Sequence, residues 1–385
     1  MSLNQRNTTF VLCGLALSAV LAIAGAKAQS TAAPQSPAPK LAEEQFKNIK
    51  VLKGVPADQI FPSMQFITAS LGVECEYCHV RGDKGLEFEK DDKKNKVTAR
   101  KMMEMMFAIN KENFEGHRDV TCYSCHRGAA DPVATPIITD EEPKPEGPRA
   151  KAAADAKPVL PPADQLLDKY LAAIGGEAAL QKVTSRVEKG KIAANGQQLP
   201  IEVYAKAPDK RISIMHLPNG ESITAFDGKQ GWLSNAGHPH MMSTAENDAA
   251  RIDSDLYFAS HVKALYKKFT VVPGEKIDGR DTYLVLGRNE GQPPLRLYFD
   301  QQSGLLVRLV RYAETALGRM PTQIDYADYR DADGLKIPYR WTLARPGGNR
   351  FTIQVDEVQQ NVPVEDAKFT PPPIPPPPDQ KPAGH

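Results

Sequence analysis

Two short runs of this sequence repeat one pattern: Cys75-Glu76-Tyr77-Cys78-His79 and Cys122-Tyr123-Ser124-Cys125-His126. Two cysteines on one tight turn can form thioethers to the two vinyl groups on one edge of a porphyrin. The adjoining histidine then lies under the iron as its proximal ligand, the signature of c-type haem attachment. Zinc could take four thiolates, but that site would leave His79 and His126 without a role. A redox dithiol would sit more naturally in a strand-helix context of thioredoxin type. The expected cofactors are therefore two covalent haem c groups, one on Cys75 and Cys78 and one on Cys122 and Cys125, with His79 and His126 on the irons.

The compartment fits that chemistry. Arg6, the apolar stretch from Phe10 to Ala24 and the small residues ending in Ala26-Lys27-Ala28 read as a secretory signal peptide over 1–28. The apolar stretch is shorter than the roughly 20 residues of a spanning helix. Cleavage would remove Cys13, leaving four cysteines that all belong to the two runs, so no structural disulfide is expected in the oxidising space outside. The leader carries Arg6 and Lys27 and no acid, so the rest of the chain holds one more acidic than basic residue. Such a balance argues against nucleic acid as a partner. The protein is expected in the periplasm, with association to the envelope membrane as a further option.

A six-coordinate haem needs a second axial ligand, and the helices that must precede each run carry methionines. In "FPSMQFITASLGVEC", Pro62 suits the first turn of a helix and Gly72 its end. Ile60, Met64, Ile67 and Leu71 then share one face at helical spacing. A helix leading directly into the haem-binding turn lies across the porphyrin, which places the Met64 thioether to reach the first iron. The second run is preceded by "KVTARKMMEMMFAINKENF", where four methionines compete. Only Met102 is followed by apolar residues at both plus three and plus seven (Met105, Ile109), as Met64 is, so Met102 is the expected ligand of the second iron.

"MQFITASLGVECEYCH" and "ARKMMEMMFAINK…VTCYSCHRG" resemble the cytochrome c subunit family of photosynthetic reaction centres over roughly residues 41–135. The resemblance implies His79 with Met64 on one haem and His126 with Met102 on the other. Family members that serve reaction centres carry four haems where this chain has motifs for two, which argues against a reaction centre as partner. In that family a histidine shortly before the last motif ligates a different haem; His117 stands near that position and is expected here to be exposed or near a haem propionate.

The 32 prolines punctuate the chain. They mark a spacer over 29–40, a stiff Pro/Ala-rich linker over 131–163 and a tail over 371–385, which leaves a dihaem module over 41–130 and a second domain over 164–370, with the linker expected to hold the two apart. The second domain opens with an amphipathic helix whose buried stripe is Leu166, Leu167, Tyr170, Leu171 and Ile174, broken by Gly175-Gly176. Segments such as "KRISIMHL", "TYLVLGRN" and "RFTIQVDEVQQ" then alternate with period two between turn signals, and a helical stretch near 253–268 interrupts them. "AFDGKQGW", "LYFDQQSGLLVRLV", "DGLKIPYRWTL" and "VEDAKFTPP" resemble the outer-membrane lipoprotein-sorting or carrier superfamily, which implies a half-open barrel around an apolar cavity. Trp232 and Trp341 are expected in its core, and His238, His240, Met241 and Met242 in a surface loop.

The expected fold class is thus multidomain: a small α-helical c-type dihaem module followed by an α+β half-open antiparallel β-barrel. The expected function is an exported electron relay between redox proteins, with a half-barrel that docks a partner or an apolar ligand. A lipid carrier with a redox-sensing haem module and a dihaem peroxidase are the rivals. No catalytic nucleophile-base pair, phosphate loop or carboxylate motif stands out, and the protein is read as a carrier and not an enzyme.

Overall fold

The computed structural model describes residues 40–83, 85–132, 160–194, 196–235, 237–346 and 350–373. The leader, the spacer up to residue 39, most of the linker and the tail from residue 374 lie outside the described residues. Among the described residues, no helix is long and apolar enough to cross a membrane.

The first part is helical. A one-turn α1 (Ala42–Gln45) precedes α2 (Ile60–Leu71), α3 (Lys94–Asn113) and the short α4 (Cys122–His126), with a small hairpin of β1 (Val80–Gly82) and β2 (Gly85–Glu87) between α2 and α3. Gly72 caps α2 in the left-handed region (φ 65°), where a Cβ is costly. A Cβ there would also stand 2.1 Å from the Gly128 carbonyl oxygen, so a glycine lets α2 meet the loop after the second run.

The second part begins with α5 (Ala163–Ala173) and α6 (Glu177–Leu180). Six strands follow: β3 (Ser185–Ala194), β4 (Gln197–Lys206), β5 (Lys210–Leu217), β6 (Gly220–Phe226), β7 (Gly231–Asn235) and β8 (His238–Met241). Two helices, α7 (Thr244–Ser254) and α8 (Phe258–Leu265), interrupt the strands. The chain then forms β9 (Lys268–Pro273), β10 (Thr282–Arg288), β11 (Leu295–Asp300) and β12 (Leu306–Glu314). It closes with β13 (Arg319–Ala332), β14 (Leu335–Ala344) and β15 (Arg350–Gln360).

All thirteen strands from β3 onward form one antiparallel sheet in the order 8-7-6-5-4-3-15-14-13-12-11-10-9. Its two edges, β8 and β9, do not pair, so the sheet is open, as expected from the sequence. The principal core joins α5 and α8 to this sheet: Leu167, Val262, Val285, Leu295 and Leu297 are fully buried there. Trp232 is buried and donates from Nε1 to the Phe369 carbonyl at 2.8 Å, and Trp341 is half-buried beneath the Arg211 guanidinium.

Three expectations differ from the structure. The helical stretch expected near 253–268 is two helices that begin at Thr244, because Ser243 and Glu246 form a capping box ahead of α7, and Lys268 already starts β9. His238 and His240 lie on the edge strand β8 and not in a loop; both are exposed, as is Met241, while Met242 is buried. Nor does the linker keep the haem-motif helices off the sheet. Leu317, at the β12–β13 turn, is fully buried in a cluster with Leu52, Phe66, Ile67, Met103 and Met106.

Thr315 shapes that turn. Its Oγ accepts from the Gly318 amide at 3.0 Å and donates to the Gly318 carbonyl at 2.7 Å, which turns Leu317 outward from the sheet. Gly318 packs so closely that a Cβ would come within 2.4 Å of the Phe66 ring. Arg118 adds an ion pair to Glu314 at 2.7 Å and a hydrogen bond to the Thr315 carbonyl.

The candidate haem-binding module

Each cysteine run sits on one tight helical turn. Cys75–Tyr77 is a single 3-10 turn in which the Cys78 and His79 amides both bond the Cys75 carbonyl, at 3.2 and 3.0 Å. Cys122–His126 is α4, opened by a Ser124 hydroxyl that accepts from the Thr121 amide at 3.0 Å. All four cysteines are free thiols, with Cys75 and Cys125 exposed. Burial pushes the Cys78 and Cys122 thiols up. A redox dithiol needs the opposite shift. Among the described residues, no three His, Cys, Asp or Glu side chains converge on a metal-binding geometry, so the two runs do not build one four-thiolate zinc site.

The histidines are held differently. His126 Nδ1 lies 3.0 Å from the Ala129 carbonyl. In the tautomer that donates there, Nε2 keeps its lone pair for a metal. His79 Nδ1 is shut off from solvent with no hydrogen-bond partner. The Phe88 carbonyl beside it also accepts from Lys96 Nζ at 2.7 Å, and the Phe88 ring meets the imidazole edge-on at 5.0 Å.

Lys96, itself 8% exposed, also donates to the Lys90 carbonyl at 2.6 Å and pairs with Asp91 at 2.9 Å. Asp91 further accepts from Arg100 at 2.8 Å, Asn48 at 2.9 Å and Lys50 at 3.1 Å. Those donors, Arg100 and Lys96 foremost, hold its carboxyl far below the usual aspartate range. The cluster fastens the segment after His79 onto α3.

The methionines divide by face. Ile60, Met64, Ile67 and Leu71 all pack into the cluster around Leu317, with Met64 half-buried. On α3, Met103 and Met106 are buried in that same cluster, whereas Met102 and Met105 are 43% and 49% exposed and Ile109 is half-buried. The core thus occupies two of the four candidate thioethers and leaves Met102 and Met105 on the open stripe. His117 is exposed and its amide bonds the Phe114 carbonyl at 2.7 Å.

Asn110 is a positioning residue that the sequence reading passed over. Its side-chain nitrogen donates to the Val120 carbonyl at 2.7 Å and its oxygen accepts from the Val120 amide at 2.9 Å. That pair ties α3 to the strand of chain two residues before Cys122. A buried amide on the Met103/Met106 face of an otherwise apolar stripe was the available signal.

Beneath α7 and α8 lies a space of about 190 Å³, lined by Tyr170, Leu309, Tyr326, Ile337 and the partly buried Arg186. That is below the roughly 300 Å³ at which ligand pockets usually begin. A larger cleft of about 510 Å³ opens between α2 and the sheet, with Phe61, Gln65, Arg211, Asp253 and Arg345 on its walls.

Two tight Cys-x-x-Cys-His turns, each following a methionine-bearing helix, on an α-helical part that abuts an open antiparallel sheet, describe a c-type cytochrome-like module joined to a sheet domain. Residues 16–188 match the family model for the photosynthetic reaction centre cytochrome C subunit, so this segment of the chain resembles that family. The photosynthetic reaction center cytochrome c subunit of Thermochromatium tepidum is 35% identical over 121 residues, which cover 30% of this chain and 28% of that protein. The corresponding subunit of Roseobacter denitrificans is 38% identical over 98 residues (23% and 26%), and cytochrome c-554 of Chloroflexus aurantiacus 34% over 89 residues (21% and 20%). The matches thus take in under a third of each relative's length.

Among solved structures, a LolA superfamily protein from Nitrosomonas europaea is 15% identical, with a TM-score of 0.36 over 55% of this chain and 98% of its own. A DUF1329 family protein from Desulfovibrio piger is 13% identical, with a TM-score of 0.39 over 55% and 98%.

Proposed function

We propose that this protein is an exported dihaem c-type cytochrome that relays single electrons between redox proteins of the cell envelope. The observation that carries the reading is the repeated arrangement of cysteine turn, adjoining histidine and preceding methionine helix. Cys75 and Cys78 would hold one haem and Cys122 and Cys125 the other, with His79 and Met64, and His126 and Met102, as the axial pairs. The bound haems would supply the one-electron chemistry.

The chain's own surface fits such groups. Nine of the ten large apolar side chains exposed among the described residues lie between Phe46 and Tyr123, and they include Phe61, Phe88, Met102, Met105 and Tyr123 around the two runs. An apolar surface of that extent on a small helical module asks for a covering partner, and the flat apolar faces of two porphyrins provide one.

Filled axial positions favour electron transfer over chemistry at iron, and methionine opposite histidine favours a high potential. The sheet domain would serve as a docking scaffold. The close packing beneath its helices, which leaves only about 190 Å³ there, supports that role over the carriage of a lipid inside that core.

The leader over 1–28, outside the described residues, would direct export. The boundaries at 130 and 164 would separate the two domains in sequence while the Leu317 turn joins them in space. A potentiometric titration followed by optical spectra tests the reading: two one-electron waves and no prompt carbon monoxide binding to the reduced protein are expected. Prompt binding at one haem would favour the peroxidase.

A further inference from the structure

The two proximal histidines stand in unlike surroundings, and the difference has a direction. His126 Nδ1 shares a proton with the Ala129 carbonyl, beside an exposed Cys125. Donating that proton makes the imidazole a more basic ligand and stabilises ferric iron. The Phe88 carbonyl stands beside His79 but does not reach hydrogen-bonding geometry with Nδ1. His79 Nδ1 is buried without a partner, and the cations Lys96 and Arg100 stand over the segment that covers it.

We propose, resting on the dihaem reading above, that Lys96 and Arg100 are positioning residues that make the haem on Cys75 and Cys78 the higher-potential of the two, so that electrons run from the His126 side to the His79 side. Ferric haem carries one more positive charge than ferrous haem, so nearby cations, loss of water and a weaker Nδ1 interaction all favour reduction at the same place. Lys96 reaches the segment beside His79 directly, donating to the Phe88 and Lys90 carbonyls at 2.7 and 2.6 Å, and Arg100 joins it on Asp91 at 2.8 Å. Asp91 offsets part of this, but it is shared among Lys50, Lys96 and Arg100, so the cluster stays cationic. In the transfer step one electron would pass from the haem held by His126, ferrous to ferric, to the haem held by His79, ferric to ferrous. Both histidines keep their Nδ1 protons. The electron is supplied and withdrawn by one-electron redox proteins of the relay.

The test uses the full mature chain, with its covalent haems counted by mass before titration. Lys96→Gln keeps donors for the Phe88 and Lys90 carbonyls and removes the charge. A full charge acting over a separation on the order of 10 Å, at an effective dielectric of about 20, is worth a factor of ten or more. We therefore expect the upper wave of Lys96→Gln to fall by about tenfold in the partition of one electron, which is 59 mV, with the lower wave unmoved and Lys96→Arg restoring the original value. Arg100→Gln, a second site on α3 that pairs with the same Asp91, is expected to shift the same wave and serves if Lys96→Gln does not fold. A shift confined to the lower wave, an equal shift of both, or none overturns the proposal while leaving the dihaem reading intact. A chain without two covalent haems overturns that reading instead.

Discussion

Replacing Leu317 by alanine separates a docked sheet from a merely tethered one. Leu317 belongs by sequence to the β12–β13 turn, yet it is fully buried among Leu52, Phe66, Ile67, Met103 and Met106 of the helical part. Truncating a buried leucine costs about 2–5 kcal/mol, the upper end where the site cannot collapse. Here Phe66 is held by contact with Gly318, and Met103 by α3, so a value of about 3–4 kcal/mol is expected. With urea slopes of about 1–3 kcal/mol per molar, the midpoint of the affected transition should drop by at least about 1 M.

Two probes assign the transition. Haem absorbance follows the helical part, and fluorescence of Trp232, buried against Phe369, follows the sheet. The haem transition should move with Leu317→Ala, whereas Leu297→Ala, deep in the sheet's own core, should move mainly the fluorescence transition. If Leu317→Ala leaves the haem transition in place, the turn does not plug the helical core in solution and the argument fails.

Three further outcomes follow from the same geometry. Met102→Ala should abolish the near-infrared methionine-to-iron band of one haem and leave the other. Survival of the band there, with loss in Met105→Ala, would mean that α3 presents the other open methionine. Asp91 titrates far below its ordinary 3.8 when folded, so its contribution to stability is fully present above that value and is lost as pH falls below it. Acid unfolding of wild type should therefore outpace that of Asp91→Asn, and parallel acid profiles would show that the cation cluster does not stabilise the fold. Gly72→Ala meets both a left-handed backbone and the Gly128 carbonyl. It should unfold the helical part at lower urea than Gly54→Ala, whose Cβ position is left-handed but open, and equal midpoints would remove steric contact as the cause.

The strands were legible where alternation was undiluted. "KRISIMHL" became β5 from Lys210 to Leu217, and "RFTIQVDEVQQ" became β15 from Arg350 to Gln360. β3 was missed because its sequence, Ser185–Ala194, carries four charges and Gly190, whose Cβ position falls 2.1 Å from the Gln354 carbonyl oxygen on β15. Such a glycine marks close backbone approach, a contact that only the paired strand reveals. The Ser243/Glu246 capping box was readable and would have placed α7 correctly.

At the site, the cysteine turns and the helix ending at Gly72 were explicit in the sequence. Helical spacing alone also preferred Met102 to Met103 and Met106, which the core has taken up. The burial of Leu317 was not readable, since nothing in "TALGRM" tells a turn that faces water from one that enters another domain's core. Neither was the unequal setting of His79 and His126, because identical motifs differ only in what the fold brings to Nδ1.

The central claim is the covalent attachment of two haems, and intact mass of the denatured, exported chain tests it most directly. The account predicts a mass equal to residues 29–385 plus two haems. That mass should fall by one haem when Cys75 and Cys78 are replaced by alanine and by one when Cys122 and Cys125 are replaced. A chain that carries four alkylatable thiols and no added haem mass would contradict it.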